Sequence, residues 1–215
     1  MAVTMGAEKL QEHTSKLFTL QDAWTGGHYE VAIELGDWSD DRAATALEQL
    51  WKASAVDGCY LLSGVEAENQ TRVSTHNHLE DLLYGVATLP NGTKAPCGSY
   101  LCRFQDGSDW LGLYLPLSFI ARGYPVGGYP FEDWQGYADW QRDIDKWLID
   151  VAKHVFKKVE FQFALIGFEL DFGHMSAKKI TQAGIPKERF QGFLWPAENG
   201  LKFYPANSPV FNLEE

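Results

Sequence analysis

Three short β-forming runs between Asp81 and Leu117 constrain the fold of this chain most strongly. They are separated by Pro90-Asn91-Gly92 and by Asp106-Gly107-Ser108-Asp109, residues that favour tight chain reversals. Short runs rich in β-forming residues and bounded by turns are typical of a three-stranded antiparallel meander. The sequence therefore predicts a central meander over residues 82–117.

The third run of the meander alternates leucine with other residue types. Side chains point to opposite faces at successive positions of a strand, so residues two apart share a face. We therefore expect one layer of the hydrophobic core to receive the alternating leucines, which are Leu111, Leu113, Leu115 and Leu117.

Two amphipathic segments predict the principal helices. One covers about residues 40–55 and begins after Ser39, a favourable N-cap residue. The other covers about residues 138–157, with aspartates early and lysines late, which matches the helix dipole. A third apolar stripe, over residues 7–20, predicts a further short helix.

Two further segments predict strands at the centre of the sheet. Gly27 to Leu35 alternates in polarity, and we expect Glu30 and Glu34 to point outward from it. Phe161 to Leu170 is almost continuously apolar, which indicates a strand covered on both faces. The two segments are candidates for paired centre strands.

The order of these elements predicts an α+β fold, a mainly antiparallel sheet with two principal helices packed on it. A returning strand at Cys59 to Val65 completes a first β-α-β unit, after Asp57-Gly58 ends the helix. The length favours one domain over residues 1–215, with residues 172–215 as a less regular C-terminal extension. The absence of a G-x-G-x-x-G motif argues against a Rossmann-type domain.

The charge balance indicates which partners the chain is suited to bind. The formal net charge is −11, which repels the phosphates of nucleic acid and anionic lipids and attracts a basic protein. No apolar run is long enough to span a membrane. Three cysteines are too few, and odd in number, for a secreted disulfide framework. We therefore expect a cytoplasmic protein that binds neither nucleic acid nor membranes.

Cysteines and histidines provide a candidate metal site. Thiolate and imidazole are preferred zinc ligands, and the candidates here are Cys97, Cys102, His76 and His78. Their spacing matches no compact zinc finger or ribbon. We therefore interpret them as ordinary structural residues and predict no metal and no cofactor.

The end of the apolar strand provides a candidate acid/base site. Glu169 interrupts an otherwise apolar run, and a buried carboxylate there would need a partner or a raised pKa. Asp171 and His174 follow closely, and His28 is another candidate partner for the carboxylates. In the alternative interpretation the strand has already emerged into solvent at Glu169. Because the sequence also lacks a G-x-S-x-G nucleophile motif, we predict no catalytic residue.

Residues 121–140 combine repeated glycine and proline with many aromatic rings. The rings are too numerous for an ordinary solvated loop, and Tyr and Trp dominate the energetics of interfaces. Acidic residues interleave them. The predicted binding residues are Tyr124, Tyr129, Phe131, Trp134, Tyr137 and Trp140. In the alternative interpretation this segment is a crossover that lays its rings over the meander.

These features predict a non-catalytic module that binds a basic protein through an acidic, aromatic surface. In overall composition the chain is similar to bacterial immunity proteins, and this resemblance implies a toxin domain as the partner. The alternative is a small-molecule-binding protein or hydrolase with its pocket under residues 121–140. Exposed aromatic rings are also compatible with a homodimer.

Overall fold

The computed structural model describes residues 16–105, 107–126, 139–170, 172, 175–198 and 200–208. Within them the chain forms eight strands and four helices. The strands are β1 (His28–Asp37), β2 (Val56–Tyr60), β3 (Leu83–Thr88), β4 (Lys94–Arg103), β5 (Ser108–Pro116), β6 (Phe163–Phe168), β7 (Gly192–Ala197) and β8 (Gly200–Tyr204). The helices are α1 (Asp40–Trp51), α2 (Leu117–Ile120), α3 (Asp139–Phe156) and α4 (Ala177–Ala183).

All eight strands belong to one antiparallel sheet with the order β2-β3-β4-β5-β1-β6-β7-β8. The predicted α+β fold is confirmed, with its central meander β3-β4-β5 and its two principal helices α1 and α3. The predicted pairing of the centre strands is also confirmed, because β1 lies directly beside β6. Residues 172–215, predicted to be less regular, contribute α4 and the β7-β8 hairpin.

One face of the sheet, the helix face, carries the larger hydrophobic core. The buried side chains of α1 and α3 pack there against alternate residues of the strands. Leu111, Leu113 and Leu115 are buried in this layer, as predicted. Leu117 is instead the first residue of α2, because β5 ends at Pro116.

The opposite face, here called the second face, is also covered along part of its length. Trp110, Phe163 and Leu165 are buried there beneath the chain that follows β6, which contributes Leu170 and Ile180. Strand β6 is therefore buried on both faces, as its continuous apolar sequence predicts.

Glu30 and Glu34 were predicted to point outward from β1, and the solvent exposure that this implies is wrong. Both side chains point away from the helix face, yet only 7% of Glu30 and 6% of Glu34 is exposed. The chain beyond β6 covers them and supplies donors, since the backbone N–H of Leu170 donates to Glu30 and that of Ala177 donates to Glu34. Local alternation shows which face a residue occupies but does not show what covers that face.

The second strand begins earlier than predicted, at Val56 instead of Cys59. Asp57-Gly58 lies inside β2 and does not end α1, which stops at Trp51. A Cβ on Gly58 would lie 2.5 Å from the Trp51 ring. The glycine therefore serves the close packing of a helix side chain against the sheet.

The helix predicted over residues 7–20 lies largely outside the described residues, and residues 17–20 form bends. In the described part of the chain, no helix has both the length and the apolar character needed to cross a bilayer.

Candidate functional site

A cleft of about 570 Å³ opens on the second face of the sheet, beside the start of β1 and the end of β6. Its size falls within the range of small-ligand sites. Aromatic rings and two carboxylates dominate its described lining. The lining consists of Trp24, His28, Glu30, Leu82, Tyr84, Tyr100, Tyr114, Glu169 and Leu170. We call it the aromatic cleft.

Two reciprocal glycine–tyrosine pairs build the floor of the aromatic cleft. In the β4-β5 register Tyr100 lies opposite Gly112, and Tyr114 lies opposite Gly98. A Cβ on Gly112 would lie 2.0 Å from Cζ of Tyr100, and one on Gly98 would lie 2.2 Å from Cζ of Tyr114. Each glycine thus leaves room for the ring opposite to lie against the sheet, and the two ring planes differ by 24°.

Glu30 supplies a buried carboxylate beside this floor. The Tyr100 hydroxyl donates to its Oε2 at 2.7 Å, and the backbone N–H of Leu170 donates to its Oε1 at 2.9 Å. Both oxygens therefore accept a hydrogen bond from the protein. Hydrogen bonds of this kind favour the ionised form of the carboxylate.

The environment shifts the protonation of several groups in the aromatic cleft. Burial raises the pKa of Glu30 above its ordinary value, although the hydrogen bonds from Tyr100 and Leu170 oppose the shift. Burial also lowers the pKa of His28, against the attraction of Glu169. Burial raises the pKa of Tyr114. His28 is thus neutral at pH 7, and it does not offset the negative charge of the carboxylates.

The raised pKa of Glu30 predicts a pH dependence of stability. Between its ordinary value of 4.5 and its folded pKa, the folded state binds more protons than the unfolded state, so stability falls as pH rises. Glu30→Gln removes this charge, while its amide group can accept from Leu170 and donate to the Tyr100 oxygen. We expect the variant to be about 1 kcal/mol more stable than the wild type at pH 8, with a smaller difference at pH 4.

Urea titration at both pH values measures this difference. Glu160→Gln is the control, because Glu160 is exposed and lies at the far end of β6 from the cleft. A difference between wild type and Glu30→Gln that is constant with pH would contradict the assignment.

Trp24 forms one wall of the aromatic cleft and is held by the segment before β1. The Glu66 carboxylate accepts hydrogen bonds from three consecutive backbone N–H groups, at residues 17–19. The indole N–H of Trp24 donates to the carbonyls of Phe18 and Ser63 at 2.9 and 2.8 Å. These contacts fix the ring and occupy its one donor group.

Near-perpendicular ring pairs shape the walls and corners. Trp24 meets Tyr84 at 68° with the ring centroids 4.8 Å apart, and His28 meets Tyr114 at 79° and 4.9 Å. In such pairs the edge of one ring packs on the face of the other. The rings that line the cleft therefore lie in more than one orientation.

Glu169 lies at the rim and has a strained backbone. Its φ is +41°, in the left-handed region that non-glycine residues seldom adopt. Its N–H donates to the carbonyl of His28 at 3.0 Å, which ties the end of β6 to the start of β1. Strain of this kind is commonly retained where a side chain must be aimed at a site.

The structure brings together part of the predicted acid/base site. Glu169 and His28 line the same cleft, whereas Asp171 and His174 lie outside the described residues. Glu169 is exposed, because β6 ends at Phe168, so its suggested burial is wrong. Glu30 is the buried carboxylate of this region.

The predicted aromatic binding residues are located elsewhere or are not described. Trp140 is a core residue, 6% exposed, and its ring packs against Tyr29 with the centroids 5.3 Å apart. Its predicted place on a binding surface is therefore wrong. Tyr124 is half-buried and packs against the helix-face core. The remaining four lie outside the described residues: Tyr129, Phe131, Trp134 and Tyr137.

The candidate metal ligands do not converge. Cys97 and Cys102 are five residues apart on β4, so they point to opposite faces, and they pack in different hydrophobic clusters. His76 lies in a 3₁₀ turn, and His78 Nδ1 contacts Asp81 at 2.7 Å. Across the described ranges, no three His, Cys, Asp or Glu side chains are grouped as a metal site would require.

Glu30, Tyr100 and Tyr114 were not predicted from the sequence as site residues. One signal was present, since two strands predicted to be neighbours each carry Gly-x-Tyr, at residues 98–100 and 112–114. The pattern becomes informative when the register is known, because the register places each glycine opposite a tyrosine.

Comparison of the chain with protein-family models, with curated proteins and with solved structures finds no significant match.

Proposed function

We propose that this protein is a non-catalytic binding module that receives a positively charged side chain of a basic protein partner in the aromatic cleft. One observation carries the proposal. Two carboxylates, those of Glu30 and Glu169, lie among aromatic rings, and none of the nine described lining residues is a lysine or an arginine. A cation is attracted both by carboxylates and by the faces of aromatic rings.

The charge of the whole chain supports the same class of partner. A net charge of −11 accelerates association with a basic protein and opposes binding to nucleic acid or anionic membranes. The three cysteines are free, and Cys59 and Cys97 are buried, which fits the proposed cytoplasmic location. An immunity-like role toward a basic toxin domain is one form of this proposal.

The proposal favours binding over catalysis because the groups of the cleft are already engaged with one another. Glu30 accepts two internal hydrogen bonds, and the His28 ring packs on Tyr114. A second candidate function is the binding of a free small molecule, which the cleft volume favours. That cleft lies on the second face, whereas Tyr124 and Val126, from the described start of the segment 121–140, pack on the helix-face core.

Short labelled peptides test the proposed function. We expect a peptide with lysines spaced by glycine and serine to bind in fluorescence anisotropy at low ionic strength, and its glutamate counterpart not to bind. Glu169→Gln should lower the affinity for the lysine peptide roughly fivefold, because losing one charge contact costs about 1 kcal/mol.

Glu160→Gln is the matched control, because it removes the same net charge from the far end of β6. An equal loss in both variants would show attraction to the overall charge of the chain and not to the cleft. Absence of binding by every cationic peptide would refute the proposed function.

A further inference from the structure

The two carboxylates of the aromatic cleft differ in their surroundings. Both oxygens of Glu30 accept internal hydrogen bonds, from Tyr100 and from Leu170. Glu30 can therefore attract a cation through its charge, but both of its oxygens already accept hydrogen bonds from the protein. Glu169 provides a second carboxylate, at the exposed rim.

The polar groups of two of the lining rings are engaged within the protein. The indole N–H of Trp24 is used by two backbone carbonyls, and the hydroxyl of Tyr100 donates to Glu30. The ring pairs Trp24–Tyr84 and His28–Tyr114 are near-perpendicular. The lining rings therefore lie in more than one orientation around the cleft.

None of the cation–π contacts resolved among the described residues involves a ring of the cleft. Arg122 lies over Phe119, and Lys202 lies over Tyr204. Leu82, which is 50% exposed, and Leu170 add apolar surface to the lining. The cleft therefore combines aromatic rings and apolar side chains with two carboxyl groups.

Different cations place different demands on such a site. A guanidinium carries five N–H donors and a lysine ammonium carries three, and both need acceptors to replace their water. A quaternary ammonium has no N–H group, and its methyl groups spread the positive charge over an apolar surface. Aromatic cages recognise such groups through cation–π attraction.

We propose that the aromatic cleft selects a methylated ammonium group over an unmethylated ammonium or a guanidinium. This inference rests on the proposed function and specifies its ligand. A methylated ammonium group can come from two sources, a trimethyllysine side chain on the partner protein or a free molecule such as choline.

Isothermal titration calorimetry with matched peptides tests this inference. The peptides carry one trimethyllysine, one lysine, one arginine, or the neutral tert-butyl isostere of trimethyllysine, in the same flanking sequence. We expect trimethyllysine to bind about tenfold tighter than lysine and arginine, and also tighter than the neutral isostere. Choline and tetramethylammonium are the free-molecule arms. Binding of choline as tight as that of the trimethyllysine peptide assigns the site to a small molecule and leaves the ligand class intact.

Tyr84→Leu is the diagnostic variant, because it removes a ring that contacts Trp24 and keeps an apolar side chain. It should remove the preference for trimethyllysine over lysine. Tyr204→Leu is the control, since it removes a ring at the opposite edge of the sheet, on β8.

The outcomes separate the two proposals. Equal affinity for lysine and trimethyllysine would overturn the selectivity and leave the proposed function intact. If the peptide with the neutral tert-butyl isostere binds as tightly as the trimethyllysine peptide, the cleft is an apolar pocket and not a cation site. If none of the charged peptides binds, both proposals fail.

Discussion

We expect Trp110→Ala to lower the free energy of unfolding by about 3–5 kcal/mol, the usual cost of truncating a large buried aromatic side chain. Trp110 is 1% exposed and belongs to the core of the second face. Its ring stacks on Phe172 with the centroids 5.0 Å apart and meets Phe163 at 83° and 5.4 Å. The truncation removes buried apolar area and leaves a cavity between the sheet and the chain that covers it.

Trp38→Ala is the matched control, because Trp38 is 54% exposed and its described hydrogen bond is one from the indole N–H to the Ser108 carbonyl. We expect this variant to change stability by less than about 1 kcal/mol. Denaturant titration of both variants measures the difference. A loss below about 1 kcal/mol for Trp110→Ala would mean that the second face is solvated and that the C-terminal chain does not seal it.

Local pattern was sufficient to predict the meander strands, the two centre strands, the two long helices and the side of β5 that faces the helices. Leu111, Leu113 and Leu115 alternate with Gly112 and Tyr114, and strand geometry places the three leucines on one face. Helices α1 and α3 carry apolar stripes at helical spacing, so their existence also follows from nearby residues.

The burial of Glu30 could not be predicted from its neighbours. Its cover comes from Leu170, which is 140 positions away in the sequence, and its second donor, Tyr100, is 70 positions away. On a strand with one solvated face, alternation would have placed this carboxylate in water. The layer that excludes water here is irregular chain, which has no periodicity to detect.

The floor of the aromatic cleft depends on the register of β4 against β5, which the turn residues alone do not determine. The turn residues predicted that the chain reverses direction over Asp106 to Asp109. In the structure the β4-β5 hairpin closes earlier, with the Phe104 N–H donating to the Ser108 carbonyl. Gly107 within that loop has a φ of +94°. The closure at Phe104 and Ser108 continues into the pairing of Tyr100 with Gly112. A different closure would break the glycine–tyrosine pairs, and turn composition alone does not distinguish the two.

We expect Gly112→Ala to damage the aromatic cleft and to cost about 1–3 kcal/mol of stability, as overpacking usually does. The new Cβ would lie 2.0 Å from Cζ of Tyr100. The ring cannot move freely, because its hydroxyl donates to Glu30 and the ring stacks on Phe172. The planes of these two rings differ by 11° and their centroids lie 6.0 Å apart. Displacing the ring breaks the bond to Glu30, so affinity for a trimethyllysine peptide should fall by about tenfold or more.

Gly64→Ala and a double-mutant cycle show whether the ring causes the loss. A Cβ on Gly64 would have no heavy atom within 4 Å, so this control should change stability by less than about 0.5 kcal/mol. In a Tyr100→Ala background the obstructing ring is gone, and Gly112→Ala should be neutral or stabilising, because alanine is favoured over glycine in a strand by about 0.5–1 kcal/mol. If Gly112→Ala costs the same with and without the Tyr100 ring, the glycine is required for a reason other than this contact. The reciprocal pair, Gly98 and Tyr114, should behave in the same way, since a Cβ on Gly98 meets the Tyr114 ring at 2.2 Å.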